Sequence, residues 1–105
     1  MRYAEFIKTS LAKYNPKKLD NKVLADDSRI LAAWYASSIK KYSKEEILDA
    51  MVKVLREIAR RVKKGKMHWS IHLDKLKPSV RKLYTEALKR LSREEREILV
   101  NQRRE

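Results

Sequence analysis

The chain has 105 residues, enough for one domain with a thin hydrophobic core, and 43% of them are hydrophobic while 39% are charged. It has no cysteine, which excludes disulfides and thiolate metal sites, and no apolar run approaches the ~20 residues of a membrane-spanning helix. One glycine and two prolines leave little material for turns, which favours long helices over a sheet with many hairpins. We expect a single helical domain over residues 1–105 and, since the N-terminus has no signal-peptide pattern, a cytoplasmic location without a membrane partner.

The net charge of +13 indicates a polyanionic partner, because self-repulsion at this density destabilises a small protein unless it is neutralised. Residues 1–52 carry a net charge of +3, and residues 53–105 carry +10. Nucleic acid, an acidic protein surface and an anionic membrane are all compatible with this charge alone. An abundance of Lys, Arg and Glu without Cys is also the bias of hyperthermophile proteins, which predicts a thermophilic source.

The first predicted helix covers residues 2–14 and has a one-sided, aromatic-rich face that we expect to pack on the core. The residues of this face are Tyr3, Phe6, Ile7, Leu11 and Tyr14. Asn15 and Pro16 end the helix, because a residue that precedes proline is disfavoured in the helical region.

Two interpretations are open for residues 19–27, either a short helix capped at Asp20 or a loop. The following Asp26–Ser28 run is typical of a helix start, since it places carboxylates near the positive end of the helix dipole. It predicts a helix over about 28–42, which is the most apolar stretch of the chain. We expect this helix to be the central one of the core.

The clearest helix begins after Ser43, which forms a capping-box pattern with Glu46 three residues later. Its apolar residues fall within one arc, so that one face is expected in the core and the other in solvent. Gly65 is a typical C-cap residue and predicts that the helix ends at or near Lys64.

The second half of that helix is strongly basic. From Lys53 to Lys66 there are seven basic residues and one acidic residue. Two cations would be enough to satisfy the negative end of the helix dipole. The surplus favours a surface that binds an anionic partner.

Residues 67–73 alternate between apolar and polar side chains, which predicts an extended segment or one strand with a buried side. A short helix capped at Ser70 is the alternative. His68 and His72 would have zinc-pair spacing only in that helix, and Asp74 is the one further ligand nearby. We therefore predict neither a metal nor another cofactor.

Arg61 precedes His68 with six residues between them, and this spacing resembles the Arg-x4–6-His pattern of the HEPN ribonucleases, which are small helical-bundle proteins. The resemblance implies a ribonuclease activity in which Arg61 and His68 are the residues that carry over. The polar residue that usually follows the arginine is Val62 here. A HEPN-like ribonuclease is thus the lower alternative.

Pro78 is a favourable first residue for the last predicted helix. Ser92 and Glu95 form a second capping-box pattern, which would begin a new helix there. Continuing one helix through Ser92 to about residue 100, however, keeps Ile98 on the apolar face. It also aligns four basic residues on the opposite face, namely Lys82, Lys89, Arg93 and Arg96. We therefore predict one long helix.

The whole pattern predicts an all-α, compact bundle of four to five helices with short connections, with residues 101–105 frayed. No Gly-rich phosphate loop or nucleophile–base arrangement is found, so an enzyme is not expected. We expect a non-catalytic nucleic-acid-binding protein, of DNA or RNA, that contacts phosphates as an accessory or architectural component. The alternative is a basic interaction subunit that docks on an acidic protein surface in a larger complex. The predicted contact residues are Lys53, Arg56, Arg60, Arg61, Lys63, Lys64, Lys66, His68, Lys82, Lys89, Arg93 and Arg96.

Overall fold

The computed structural model describes residues 14–37 and 42–100, and within them it shows an all-α, compact fold. The α-helices are α1 (Asn21–Ala36), α2 (Lys44–Lys63), α3 (Pro78–Lys89) and α4 (Arg93–Leu99), with 3-10 turns at Pro16–Lys18 and Leu73–Lys75. The predicted helix over residues 2–14, apart from Tyr14, and the predicted frayed end lie outside the described residues. None of the helices in the described ranges is long and apolar enough to cross a membrane.

Helix α1 is one helix from its first turn, so the predicted start at residues 26–28 is wrong. Asp20 is its N-cap, and the carboxylate accepts a hydrogen bond from the Val23 amide at 2.9 Å. The residues that resemble a cap are used otherwise. Asp27 is buried and accepts a hydrogen bond from the Tyr14 hydroxyl at 2.7 Å, while Ser28 donates to a carbonyl within the helix. The helix ends at Ala36 and does not reach residue 42.

Helix α2 is the element that the rest of the fold contacts, because its main contacts are with α1, α3 and α4. This central position was predicted for the preceding helix. The capping box of Ser43 and Glu46 is confirmed, with both reciprocal hydrogen bonds formed. The buried side chains of α2 include five of the largest fully buried ones, Ile47, Met51, Val54, Leu55 and Ile58.

The end of α2 is confirmed at the predicted glycine. Gly65 has a φ of +75°, in the left-handed region that glycine adopts without a steric penalty. Its amide donates to the Val62 carbonyl at 3.0 Å, and the Lys66 amide donates to the Arg61 carbonyl at 2.9 Å. This pair of bonds is the Schellman motif, which satisfies the last carbonyls of a helix.

Residues 67–72 after Gly65 form neither helix nor strand, and one side of this segment is buried, as its alternation predicted. Leu73, the last residue of the predicted segment, begins the second 3-10 turn. Met67 and Ile71 are buried, while His68, Ser70 and His72 are exposed. The Ile71 amide donates to the Leu99 carbonyl at 2.8 Å and joins this segment to the end of α4.

The last part of the chain forms two helices, so the prediction of one helix through Ser92 is wrong. Helix α3 begins at Pro78, as predicted, and ends at Lys89. Ser92 then caps α4 through a complete capping box with Glu95. The break allows Leu91 and Leu99 to be buried in the core that Leu83 and Leu88 of α3 enter. The capping box satisfies two backbone amides, and the bend lets the chain follow the core. Together these favour two helices over the single helix that the continuous apolar stripe predicted.

Candidate nucleic-acid interface

A buried ionic network lies at the C-terminal end of α2. The Glu57 carboxylate accepts hydrogen bonds from Arg60 at 3.0 and 2.6 Å and from the Arg61 Nε at 2.7 Å. The hydrogen bonds from Arg60 and then Arg61 lower the pKa of Glu57, although burial acts in the opposite direction. Glu57 is therefore ionised and paired inside the fold.

Arg61 joins three parts of the chain. It is 8% exposed, and its guanidinium donates to the Lys17 carbonyl at 3.2 Å and to the Asn21 side-chain oxygen at 3.0 Å. The Asn21 amide nitrogen in turn donates to the Lys66 carbonyl at 2.7 Å. The turn at residues 16–18, the start of α1 and the end of α2 are thus held together by one buried cation. Arg61 was expected on the exposed basic surface; it lies inside because these carbonyl and carboxylate acceptors satisfy its donors.

The consequence is a group of lysines on one part of the surface, which we call the lysine cluster and define as Lys17, Lys18, Lys64 and Lys66. All four are exposed, and none forms an ion pair with any residue that the structure describes. Lys64 and Lys66 were predicted contact residues, whereas Lys17 and Lys18 were not. The adjacency of Lys17 and Lys18 to Pro16 indicates a surface turn, but the position of this turn beside α2 depends on the Arg61 contacts.

Most other basic residues of α2 are paired. Arg56 contacts Glu95 at 3.2 Å, and Lys63 contacts Glu94 at 2.6 Å, so both predicted contact residues face the carboxylates of α4. Arg60 pairs with Glu57. The Lys53 ammonium donates to the Tyr14 carbonyl at 3.3 Å.

The predicted basic face of the last helix is divided by the break at Ser92 and is largely paired as well. Lys89 contacts Glu86 at 3.4 Å, and Arg93 contacts Glu97 at 3.2 Å. Arg96 donates to the Leu91 carbonyl at 2.8 Å, near the end of α3. Lys82 is exposed and forms no ion pair within the described residues.

The two residues of the Arg-x4–6-His pattern have different environments. His68 is exposed on the extended segment, two residues after Lys66. Arg61 is buried with its donors bound to Glu57, Asn21 and backbone carbonyls. The ribonuclease alternative gains no support from this arrangement, because the guanidinium is already occupied by structural partners. Across the described ranges, no group of three or more His, Asp or Glu residues is placed to hold a metal ion.

A cavity of about 290 Å³ lies beside the lysine cluster, between residues 14–17 and the side of α2 that carries Lys53, Arg56 and Glu57. It is partly open to solvent, and its wall is mainly apolar. Lys17 belongs both to this wall and to the lysine cluster.

Comparison with protein-family models, with curated proteins and with solved structures finds no match to this chain. The described residues form an all-α fold in which four exposed lysines without ion pairs, the lysine cluster, lie at the end of the central helix.

Proposed function

We propose that this protein binds nucleic acid through phosphate contacts made by the lysine cluster. The observation that supports the proposal is the convergence of Lys17, Lys18, Lys64 and Lys66 around the buried Arg61. Each lysine that neutralises a phosphate releases counterions condensed on the nucleic acid, and this release is the main source of backbone affinity.

The paired cations contribute less to such a surface. Arg56 and Lys63 already face Glu95 and Glu94, so a phosphate would have to compete with a carboxylate at each of them. The ammonium groups of the lysine cluster have no such competitor among the described residues. Lysine binds phosphate as a flexible point charge, which suits backbone contact without a fixed base sequence.

The test is a binding titration against salt with duplex DNA, single-stranded DNA and RNA. If each of the four lysines neutralises one phosphate, log K falls with log salt at a slope of about −3.6 on duplex and about −2.8 on single strands. Lys64→Gln/Lys66→Gln should reduce the slope by about half in either case.

A matched control removes the same charge from the other end of the molecule. Lys44 is the first residue of α2, about 30 Å along the helix from Lys64. Lys44 is exposed and, like Lys64, forms no ion pair with a described residue. Lys44→Gln should leave the slope almost unchanged, whereas Lys64→Gln alone should reduce it by about a quarter. Equal losses in these two single variants would contradict a local site, and absence of binding at ~50 mM salt would favour an acidic protein partner instead.

A further inference from the structure

The cavity beside the lysine cluster is close in size to a small-molecule site. Its volume of about 290 Å³ is just below the ~300–1,000 Å³ range of small-molecule pockets. Tyr14 and Pro16 contribute ring residues to its wall, and the wall is more apolar than polar. Such a wall favours a flat, weakly polar ligand over a hydrated ion.

Lys17 is the cation through which the cavity favours an anion attached to a flat ligand. It lines the cavity and is exposed without an ion pair in the described part of the chain. Lys53 and Arg56 also line the cavity, but the Lys53 ammonium donates to the Tyr14 carbonyl and Arg56 pairs with Glu95. Arg56 uses its Nε for Glu95 and its Nη2 for the Arg90 carbonyl, which holds the guanidinium in place. The carboxylate of Glu57 also lines the cavity, but Arg60 and Arg61 neutralise it.

From this lining we propose that the cavity receives one unpaired base of a single-stranded nucleic acid, with the adjoining phosphate on Lys17. The inference rests on the proposed function and adds the substrate class to it. The lysine cluster holds the backbone, and Lys17 is the residue at which the backbone surface and the cavity meet.

The accessibility of the base favours a single strand over a duplex as the ligand of the cavity. In a duplex, a base is stacked and paired, and extruding it costs a few kcal/mol. In a single strand, the base is accessible, and its π-face can pack on aromatic and apolar side chains without regard to sequence.

The first test compares single-stranded oligonucleotides of about ten nucleotides with abasic oligonucleotides of the same length, which have the same phosphates and no bases. Affinity should fall about 10- to 100-fold on removal of the bases, while the salt slope stays the same. Equal affinities would overturn the inference and leave the proposed function intact. Failure to bind either ligand while duplex DNA still binds would also overturn the inference, and failure to bind duplex DNA as well would sink the proposed function itself.

The second test assigns the contact to the cavity with a mononucleotide and a neighbouring pair of variants. Adenosine monophosphate should bind with a dissociation constant below about 1 mM, and inorganic phosphate should bind at least tenfold more weakly. Lys17→Gln should weaken the mononucleotide several-fold. Lys18→Gln removes the same charge from the same turn, but Lys18 does not line the cavity, so it should have little effect.

Three results would overturn the assignment. Phosphate that binds as well as the mononucleotide would show that no base is contacted. Equal effects of the two variants would show that only the total charge matters. No mononucleotide binding by the intact chain would show that the cavity is closed to such ligands.

Discussion

Arg60 and Arg61 are adjacent in the sequence and bind the same carboxylate, but they differ in their exposure to solvent. The Arg60 side chain is 48% exposed, and the Arg61 side chain is 10% exposed, while both hydrogen-bond Glu57. A step of 100° around the helix separates the two residues, which places one at the solvent boundary and the other beneath the turn at residues 16–18. The two residues are of the same type, but their exposure shows that Arg60 is a surface cation and Arg61 a structural one.

At Glu57 we expect a pH-dependent contribution to stability. Its pKa is lowered in the folded state from the ordinary value of 4.5, by Arg60 first and also by Arg61, so the ionised form stabilises the fold. This contribution is fully present above about pH 4.5 and is lost as the pH falls through the lower folded-state pKa. Urea unfolding of wild type and Glu57→Gln should show a constant difference in unfolding free energy from pH 7 to about pH 5.5 that narrows below about pH 4.5.

The matched control is Glu97→Gln, which removes an exposed carboxylate that pairs with Arg93. Exposed ion pairs contribute little to stability, so this variant should follow the wild-type pH profile closely. A Glu97→Gln profile that deviates as much as that of Glu57→Gln would contradict a special role for the buried carboxylate.

The sequence signals that agree best with the structure are those at the ends of helices. Ser43, Pro78 and Gly65 each occupy the position that their chemistry favours, at a capping box, a first helical residue and a left-handed C-cap. These signals are local, since each depends on hydrogen bonds or dihedral angles within one helical turn. At Ser92 the sequence contains both a capping pattern and a continuous apolar stripe, and the structure follows the capping pattern.

Substitution of Gly65 should measure how strongly the end of α2 depends on its backbone conformation. A Cβ at this position would meet no atom within 4 Å, so the cost of Gly65→Ala comes from the positive φ alone. We expect a loss of about 1–2 kcal/mol in unfolding free energy. Gly65→Asn should lose less, because asparagine tolerates the left-handed region better. Chemical denaturation followed by circular dichroism measures both, and equal losses would indicate a different cause.

At the scale of the whole molecule, the contacts of Arg61 decide where the lysines lie. Lys17 and Lys66 are 49 positions apart in sequence. They are joined through Arg61 and Asn21 by three hydrogen bonds. Arg56, Lys63 and Arg90 pair with carboxylates of a neighbouring helix, and other arginines pair within their own helix. Four cations without an ion pair in the described residues lie together at the C-terminal end of α2, as the lysine cluster.

Arg61→Met should reduce both stability and nucleic-acid affinity, although Arg61 is too buried to contact a ligand. Removing one partner of a buried ion pair costs about 3 kcal/mol, and loss of the hydrogen bonds to Lys17 and Asn21 frees the turn at residues 16–18. Arg60→Gln removes an equal, more exposed charge and keeps this connection, so it should weaken binding less. Affinity is measured by fluorescence anisotropy below the unfolding transition of both variants.

Two results would contradict this prediction for Arg61→Met and Arg60→Gln. If binding follows exposure alone, Arg60→Gln will have the larger effect on affinity, and the connection through Arg61 will have no part in the binding surface. If both variants remain folded and bind as wild type does, the lysine cluster does not depend on this network.

The all-α class, the bounds of α2, the start of α3 and the extended segment after Gly65 could be predicted because periodicity and caps act over short distances. Two helix starts were predicted wrongly, in each case because another capping residue begins the helix. The Asp26–Ser28 run became the interior of α1, because Asp27 bonds Tyr14 and the cap is at Asp20. The long last helix became two, because Ser92 caps a second helix that turns toward the core.

Local sequence signals were enough to predict the helical class, both ends of α2 and the start of α3, and the composition shows the large positive charge in the second half of the chain. Which cations are paired depends on the tertiary structure, since Arg56 and Glu95 are 39 positions apart and meet through the packing of α4 on α2. It also buried Arg61 and brought Lys17 and Lys18 to the end of α2. Helix ends follow from neighbours in sequence, whereas the state of a charge depends on whatever residue lies beside it in space.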